Sequence, residues 1–345
     1  MKAVVLKDEY HIAVETIPIP TIKCATDVLI KVYRAGLCGS DLHFYRGFQP
    51  KPYAFVMGHE ALGKIVQAGA AVQNFKVGDL VIAPFSTSCG QTARCAKGNL
   101  LGSSKLAGAQ AEYLLLPLAD TTLFHLPNDV CLDTLLVMAD VLPTGCGVAL
   151  NARRLPYEER TSSDDREKKG DVCVVIGCGP VGLCAITCAC SLFRIVYATD
   201  LSSARLESAQ RHGALALPLE QLKKEINQST DGRGADVVLE VVGHPSALST
   251  ALELVRPCGV ISSCGVYTQY IEVDGATLYG KNVRLQFGRC SVRTMFPMAL
   301  EVLRNNRELF DRFVEHSVPI DEAVRYYELF EKGRIGKTVF NLADD

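Results

Sequence analysis

The sequence predicts an α/β protein in two parts: a β-rich part, then a parallel sheet with helices on both faces. Three observations lead there. Up to Leu116 the apolar runs are short and separated by glycine-bearing turns such as Gly69 and Gly78-Asp79, the pattern of a small barrel-like domain. From about Ala149 strand-like and helix-like segments alternate, and the strands are apolar throughout rather than at every second residue. The 345 residues also exceed one typical domain.

In the β-rich part the expected strands are Met1–Leu6, Asp27–Tyr33, Ala61–Val66, Leu80–Ala83 and Ala111–Leu116, with the proline-bearing run Ile17-Pro18-Ile19-Pro20 between the first two. In the second part, Asp171–Gly177 reads as a buried strand entering a glycine-rich turn. Leu183–Leu192 reads as an apolar helix and Ile195–Thr199 as a strand ending at Asp200. A helix (Ser202–His212), a strand (Ala235–Val242), a helix (Pro245–Val255) and a strand (Gly259–Cys264) follow. From Met295 the tail reads as helix, irregular segment and helix. Its last run, Lys337-Thr338-Val339-Phe340, fits a strand returning to the first part. The polar, mixed-charge stretch Tyr157–Lys169 reads as a solvated loop, with a partner-binding role as the alternative.

Composition narrows the function classes. A formal net charge of −2 gives no general electrostatic pull toward nucleic acid or anionic membranes. No apolar run reaches the length of a membrane span, and the start of the chain lacks the apolar core of a secretory signal. A cytoplasmic protein is expected. Most of the 14 cysteines stand in apolar settings, as in Cys184-Ala185-Ile186-Thr187-Cys188-Ala189-Cys190, and in a reducing compartment act as small hydrophobes. Cys38 stands apart from them.

The turn Gly177-Cys178-Gly179-Pro180-Val181-Gly182 has the spacing G-x-G-x-x-G. The glycines alone say little, but here they follow an apolar strand and open a helix, the context of dinucleotide binding. Gly177 permits the tight turn, Gly179 lets backbone approach a pyrophosphate, and Gly182 lets helix pack on strand. The helix N-terminus offers unpaired N–H groups to phosphate. Asp200, at the end of the next strand, can accept hydrogen bonds from both adenosine ribose hydroxyls and would repel a 2′-phosphate, which favours NAD. Arg205 lies near enough to oppose that preference, and would have to outweigh Asp200.

The stretch Gly36-Leu37-Cys38-Gly39-Ser40-Asp41-Leu42-His43 puts a thiol, a hydroxyl, a carboxylate and an imidazole within six residues, and Gly58-His59-Glu60 follows. A catalytic zinc takes three protein ligands from Cys, His and carboxylates and keeps one position open. Taken singly, a Cys38 or a His59 is more often a core residue than a metal ligand. In company with Ser40, His43 and Glu60, in glycine-bearing stretches, they read as ligands. Asp140 is the best candidate for the third ligand, with Cys146 a chemically reasonable rival. A thiolate, a carboxylate and a neutral imidazole cancel the charge of the dication, which still polarises an alcohol oxygen.

Taken together, Gly36–His43, Gly58-His59-Glu60-Ala61-Leu62-Gly63, Gly78-Asp79-Leu80-Val81 and the turn at Gly177 resemble the zinc-containing medium-chain alcohol dehydrogenase family in order and spacing. The resemblance runs over nearly the whole chain, including Glu240–Gly243 and Gly288–Cys290. It implies a GroES-like catalytic domain, 1–150 with 290–345, around a Rossmann NAD-binding domain, 151–289. By matching position, Cys38, His59 and Asp140 are expected to hold one catalytic zinc. Glu60 matches a residue that approaches or replaces the zinc-bound water. Ser40 matches the hydroxyl that takes the alcohol proton and His43 its relay. Thr144, Gly265 and Val266 match positions lining the nicotinamide, beside the turn residues Gly177, Gly179, Pro180, Val181 and Gly182. The implied activity is hydride transfer between a primary or secondary alcohol, including polyols, and NAD, in a homodimer or homotetramer.

The sequence departs from the family at three places. The lobe that often holds a structural zinc reads Cys89-Gly90-Gln91-Thr92-Ala93-Arg94-Cys95, with Thr92 in place of one cysteine and the segment of the fourth missing, so no structural zinc is expected. The stretch Tyr157–Lys169 lengthens the link into the second domain. Cys146-Gly147 follows Thr144-Gly145 where a larger residue is common. Two rival functions remain: an NADPH-linked reductase of carbonyls or activated double bonds, whose members usually lack the Cys38/His59 pair, and a non-catalytic dinucleotide-binding protein.

Overall fold

The computed structural model describes residues 1–48, 53–91, 95, 98–155 and 171–342; Thr92 and the stretch Tyr157–Lys169 lie outside them. The strands are β1 (Lys2–Asp8), β2 (His11–Thr16), β3 (Val28–Leu37), β4 (Phe55–Val56), β5 (Ala61–Ala68), β6 (Leu80–Ala83), β7 (Tyr113–Leu116), β8 (Phe124–His125), β9 (Val172–Ile176), β10 (Ile195–Thr199), β11 (Leu215–Ala216), β12 (Ala235–Glu240), β13 (Val255–Ser263), β14 (Arg284–Phe287), β15 (His316–Pro319) and β16 (Thr338–Asn341). The chain divides into two units, 1–140 with 292–296 and 303–345, and 141–291 with 297–302. The boundary expected at residue 150 lies inside the helix Val141–Arg154, which is continuous and belongs to the second unit.

The first unit is built on a seven-stranded sheet in the order β15-β16-β3-β5-β6-β8, with β7 also paired to β3, and a smaller sheet β2-β1-β4. It has the GroES-like topology. Its long strand β3 is buried along most of its length because it pairs with β5, β7 and β16. Val28, Ile30 and Val32 face the core with Ile65, Val81 and Leu114. The last strand does return to this unit: β16 runs antiparallel to β3, pairing Thr338 with Leu37.

The second unit is a Rossmann-type sheet, all parallel, in the order β11-β10-β9-β12-β13-β14. The central strands β9 and β12 are buried at every residue, which accounts for the unbroken apolar run of β9 and for the Val237-Val238-Leu239 run of β12. Each buried valine or isoleucine there contributes about 1.5–3 kcal/mol. The apolar helix extends to Pro180–Leu192, three residues before the expected start, with proline in its first turn where no N–H partner is lost. Strand β12 stops at Glu240, two residues before the expected end, because the Glu240 carboxylate accepts the N–H groups of Val242 and Gly243 and turns the chain. Strand β13 begins earlier than expected, at Val255. Among the described residues no single helix is long and apolar enough to cross a membrane.

Candidate active site

Strand neighbours assemble a cluster in the first unit. Cys38 follows the end of β3, and His59 and Glu60 precede the start of β5, its antiparallel neighbour. Asp140 follows Ala139, whose carbonyl accepts the N–H of Phe85 just beyond β6, the next strand over. Lys337 precedes β16, on the other side of β3. Ligand atoms of Cys38, His59, Glu60 and Asp140 lie within 4.8 Å of one another, and all four residues are buried. The thiol of Cys38 is 3.7 Å from Asp140 Oδ2, and His59 Nε2 is 3.2 Å from the same oxygen. Cys146, the rival third ligand, is not in this group. It lies in the second unit, where its hydrogen bond with the Cys188 thiol, and then burial, raise its pKa.

Asp41 and Lys337 complete the cluster. The Asp41 carboxylate accepts the Cys38 N–H at 3.0 Å and stands 2.9 Å from His59 Nδ1. A proton on Nδ1, donated to Asp41, leaves the Nε2 lone pair for a metal. Burial opposes charge on His59, but Asp41 and Asp140 outweigh it and hold the imidazole well above its ordinary pKa while no cation is bound. Burial pushes the Cys38 thiol up. A metal must therefore displace protons from this set. Lys337 Nζ donates to Glu60 Oε1 at 2.7 Å, and both residues are almost fully buried. Burial disfavours the ammonium, but the Glu60 carboxylate outweighs it and raises the Lys337 pKa. With Glu60 balanced by Lys337, the thiolate of Cys38 and the carboxylate of Asp140 remain to balance a dication, so the donor set fits zinc in charge and kind.

The backbone is shaped around Glu60. A Cβ at Gly36 would sit 2.0 Å from Glu60 Oε2, so only glycine fits there. Behind it, Tyr327 donates to Gln110, and Gln110 donates to the Gly36 carbonyl, at 2.7 and 2.9 Å. Sequence reading missed Asp41, Gln110, Tyr327 and Lys337 as site residues. Asp41 alone had a signal, three residues past Cys38 at the position of a capping carboxylate.

Ser40 and His43 lie on the short helix Gly39–Tyr45 that begins beside Cys38, and both are half-buried. His43 Nδ1 is buried without a hydrogen-bond partner among the described residues. Burial, with help from Arg46, lowers the His43 pKa.

In the second unit, Gly177 has φ +98° and its N–H is donated to Thr199 in β10. A Cβ at Gly182 would meet the Gly177 carbonyl at 2.0 Å, whereas one at Gly179 would meet nothing. The helix Pro180–Leu192 thus packs tightly on the turn, with Val181 in its first residues, while Gly179 faces open space. Asp200 accepts the Cys178 and Ser202 N–H groups, which orients its carboxylate, and Arg205 stands 3.8 Å away. Thr144 is half-buried on the helix Val141–Arg154; Gly265 and Val266 follow β13.

Residues 24–128 match the alcohol dehydrogenase GroES-like domain, and residues 180–305 the zinc-binding dehydrogenase domain. A zinc-type alcohol dehydrogenase B of Aspergillus flavus is 41% identical, over 100% of this chain and 82% of its own. A sorbitol dehydrogenase of Bacillus subtilis is 32% identical, over 78% of this chain and 76% of its own. The solved structure of an alcohol dehydrogenase from Thermus sp. ATN1 is similar with a TM-score of 0.88 at 33% identity, covering 99% of each chain. Fold and relatives define the class, an oxidoreductase of the alcohol dehydrogenase type. The chain belongs to the zinc-containing medium-chain alcohol dehydrogenase family.

Proposed function

We propose that the protein transfers hydride between a primary or secondary alcohol and NAD, with one catalytic zinc per chain and no structural zinc. The observation that carries this reading is the buried Cys38–His59–Asp140 set, with Glu60 neutralised by Lys337. Zinc held there supplies a Lewis acid for the substrate oxygen. Ser40 takes the hydroxyl proton, and His43 passes it on; the unpartnered Nδ1 of His43 suits a relay. The Gly177 turn and the N-terminus of the helix Pro180–Leu192 receive the pyrophosphate, with Pro180, Val181 and Gly182 shaping the turn. Asp200 accepts the adenosine ribose hydroxyls. Arg205 is already paired with Asp200, which supports NAD over NADP. Thr144, Gly265 and Val266 line the nicotinamide. Similarity to a sorbitol dehydrogenase favours polyols among the alcohols. We also propose a cytoplasmic homodimer or homotetramer.

The test is a panel of alcohols, polyols, aldehydes and ketones with NAD and NADP in parallel, read by reduced-nicotinamide absorbance, with metal analysis of the same protein. One zinc per chain and faster turnover with NAD are expected. Turnover in zinc-free protein overturns the mechanism, and a strong NADP preference overturns the role of Asp200.

A further inference from the structure

The order of the parallel sheet reverses direction between β9 and β12. In such sheets ligands lie outside the carboxyl ends of the strands, at that reversal. Glu240 is the last residue of β12 and is fully buried. Its Oε1 accepts the N–H groups of Val242 and Gly243, each at 2.8 Å. Its Oε2 accepts the hydroxyls of Ser263, the last residue of β13, at 2.6 Å, and of Tyr267 at 2.7 Å. One carboxylate thus ties the loop after β12 to the loop after β13, with four donors filling its acceptor sites.

The two loops also touch each other and the phosphate turn. A Cβ at Gly265 would meet Gly243 N at 2.1 Å, and one at Gly177 would meet Val242 Cγ2 at 2.6 Å. Burial and the neighbouring Glu240 push the Tyr267 phenol up, so the hydroxyl stays a donor. A dinucleotide places one mononucleotide over each half of such a sheet. The Gly177 turn and Asp200 serve the half made by β9, β10 and β11, which leaves the loops tied by Glu240 for the other mononucleotide.

We propose that Glu240 is a positioning residue for the nicotinamide half of the cofactor, fixing residues 241–243 and 264–267 as the wall against which that half rests. The inference rests on the NAD reading above. The test compares binding of NADH with binding of ADP-ribose, which lacks the nicotinamide ring, by titration calorimetry on the full-length protein. Glu240→Ala is expected to weaken NADH about tenfold and ADP-ribose less than about twofold, since the donors left without their carboxylate, the buried Ser263 hydroxyl among them, all lie in the loops under the nicotinamide half. Glu240→Gln is expected to stay within about threefold of wild type for both ligands, because its amide oxygen serves the two N–H groups and the two hydroxyls can turn to accept from its NH2. Tyr267→Phe removes a single donor and keeps the test decisive where the alanine variant fails to fold; a loss of about two- to threefold for NADH alone is expected. Equal losses for both ligands, or NADH binding unchanged in Tyr267→Phe, overturn the positioning role. Failure of the wild type to bind either ligand overturns the dinucleotide reading itself, and the role of Glu240 with it.

Discussion

The cluster of the first unit is made of side chains, whereas the glycine turn of the second is made of backbone. Cys38, Asp41, His59, Glu60, Asp140 and Lys337 are all less than a tenth exposed; His59 stands between Asp41 and Asp140, and Lys337 is paired with Glu60. The turn offers N–H groups, a positive φ at Gly177 and one oriented carboxylate, Asp200. A cluster of buried charges fails when one member is removed, because the rest are left unbalanced. A backbone cradle fails mainly when its shape changes.

The strongest way to break this contrast is Cys38→Ala. Turnover is expected to fall at least about a thousandfold, since the Lewis acid supplies several kcal/mol of transition-state stabilisation. Metal analysis should show zinc lost, while NADH binding stays within about twofold of wild type, the ligand-binding backbone being untouched. Loss of NADH binding together with zinc would show that the two regions are not separable. Next in size is Lys337→Met, which leaves the Glu60 carboxylate buried without a partner. A stability loss of about 3–5 kcal/mol is expected in urea unfolding, with much of it recovered when Glu60→Gln is added. No recovery in the double variant would mean that Lys337 acts by packing rather than by charge.

The smallest effect sharpens the contrast from the other side. In the second unit His212 is buried, with Nδ1 2.7 Å from the Thr187 hydroxyl, and burial, with help from Arg211, lowers its pKa to about 4. Its folded pKa is depressed, so the unfolded chain binds more protons between about 6.5 and 4, and stability falls as pH falls through that window. Hydrogen exchange of the helix Ser203–Arg211 should reveal a loss of about 2 kcal/mol between pH 7 and pH 5. His212→Gln should flatten that dependence; an unchanged slope would assign it to other groups.

The sequence was informative where local pattern and tertiary role agree. Leu80–Ala83 and Ile195–Thr199 are strands at the predicted residues because their apolar runs end at turn residues and fill the core. The helix Val141–Arg154 was illegible because Pro143, Gly145 and Gly147 read as breakers. Gly145 is explained by the helix Pro180–Leu192, for a Cβ there would strike Ala185 at 2.5 Å. Strand β14 escaped notice because it mixes Arg284 and Gln286 with Leu285 and Phe287 at a sheet edge, where only the partner β13 defines it. At the site, Cys38, His59, Glu60 and Asp140 could be named, since metal-ligating residue types beside glycines stand out. Lys337 could not, because a single lysine ahead of a strand carries no mark of the carboxylate that meets it from 277 residues away.

That separation has a consequence for biosynthesis. The parallel sheet closes with β14, ending at Phe287, whereas the counter-charge for Glu60 arrives only with Lys337. Domains form as they leave the ribosome. A nascent chain paused between these two points therefore carries a completed parallel sheet and a Glu60 that still lacks its counter-charge. Translation order makes the cluster the last part of the enzyme to mature.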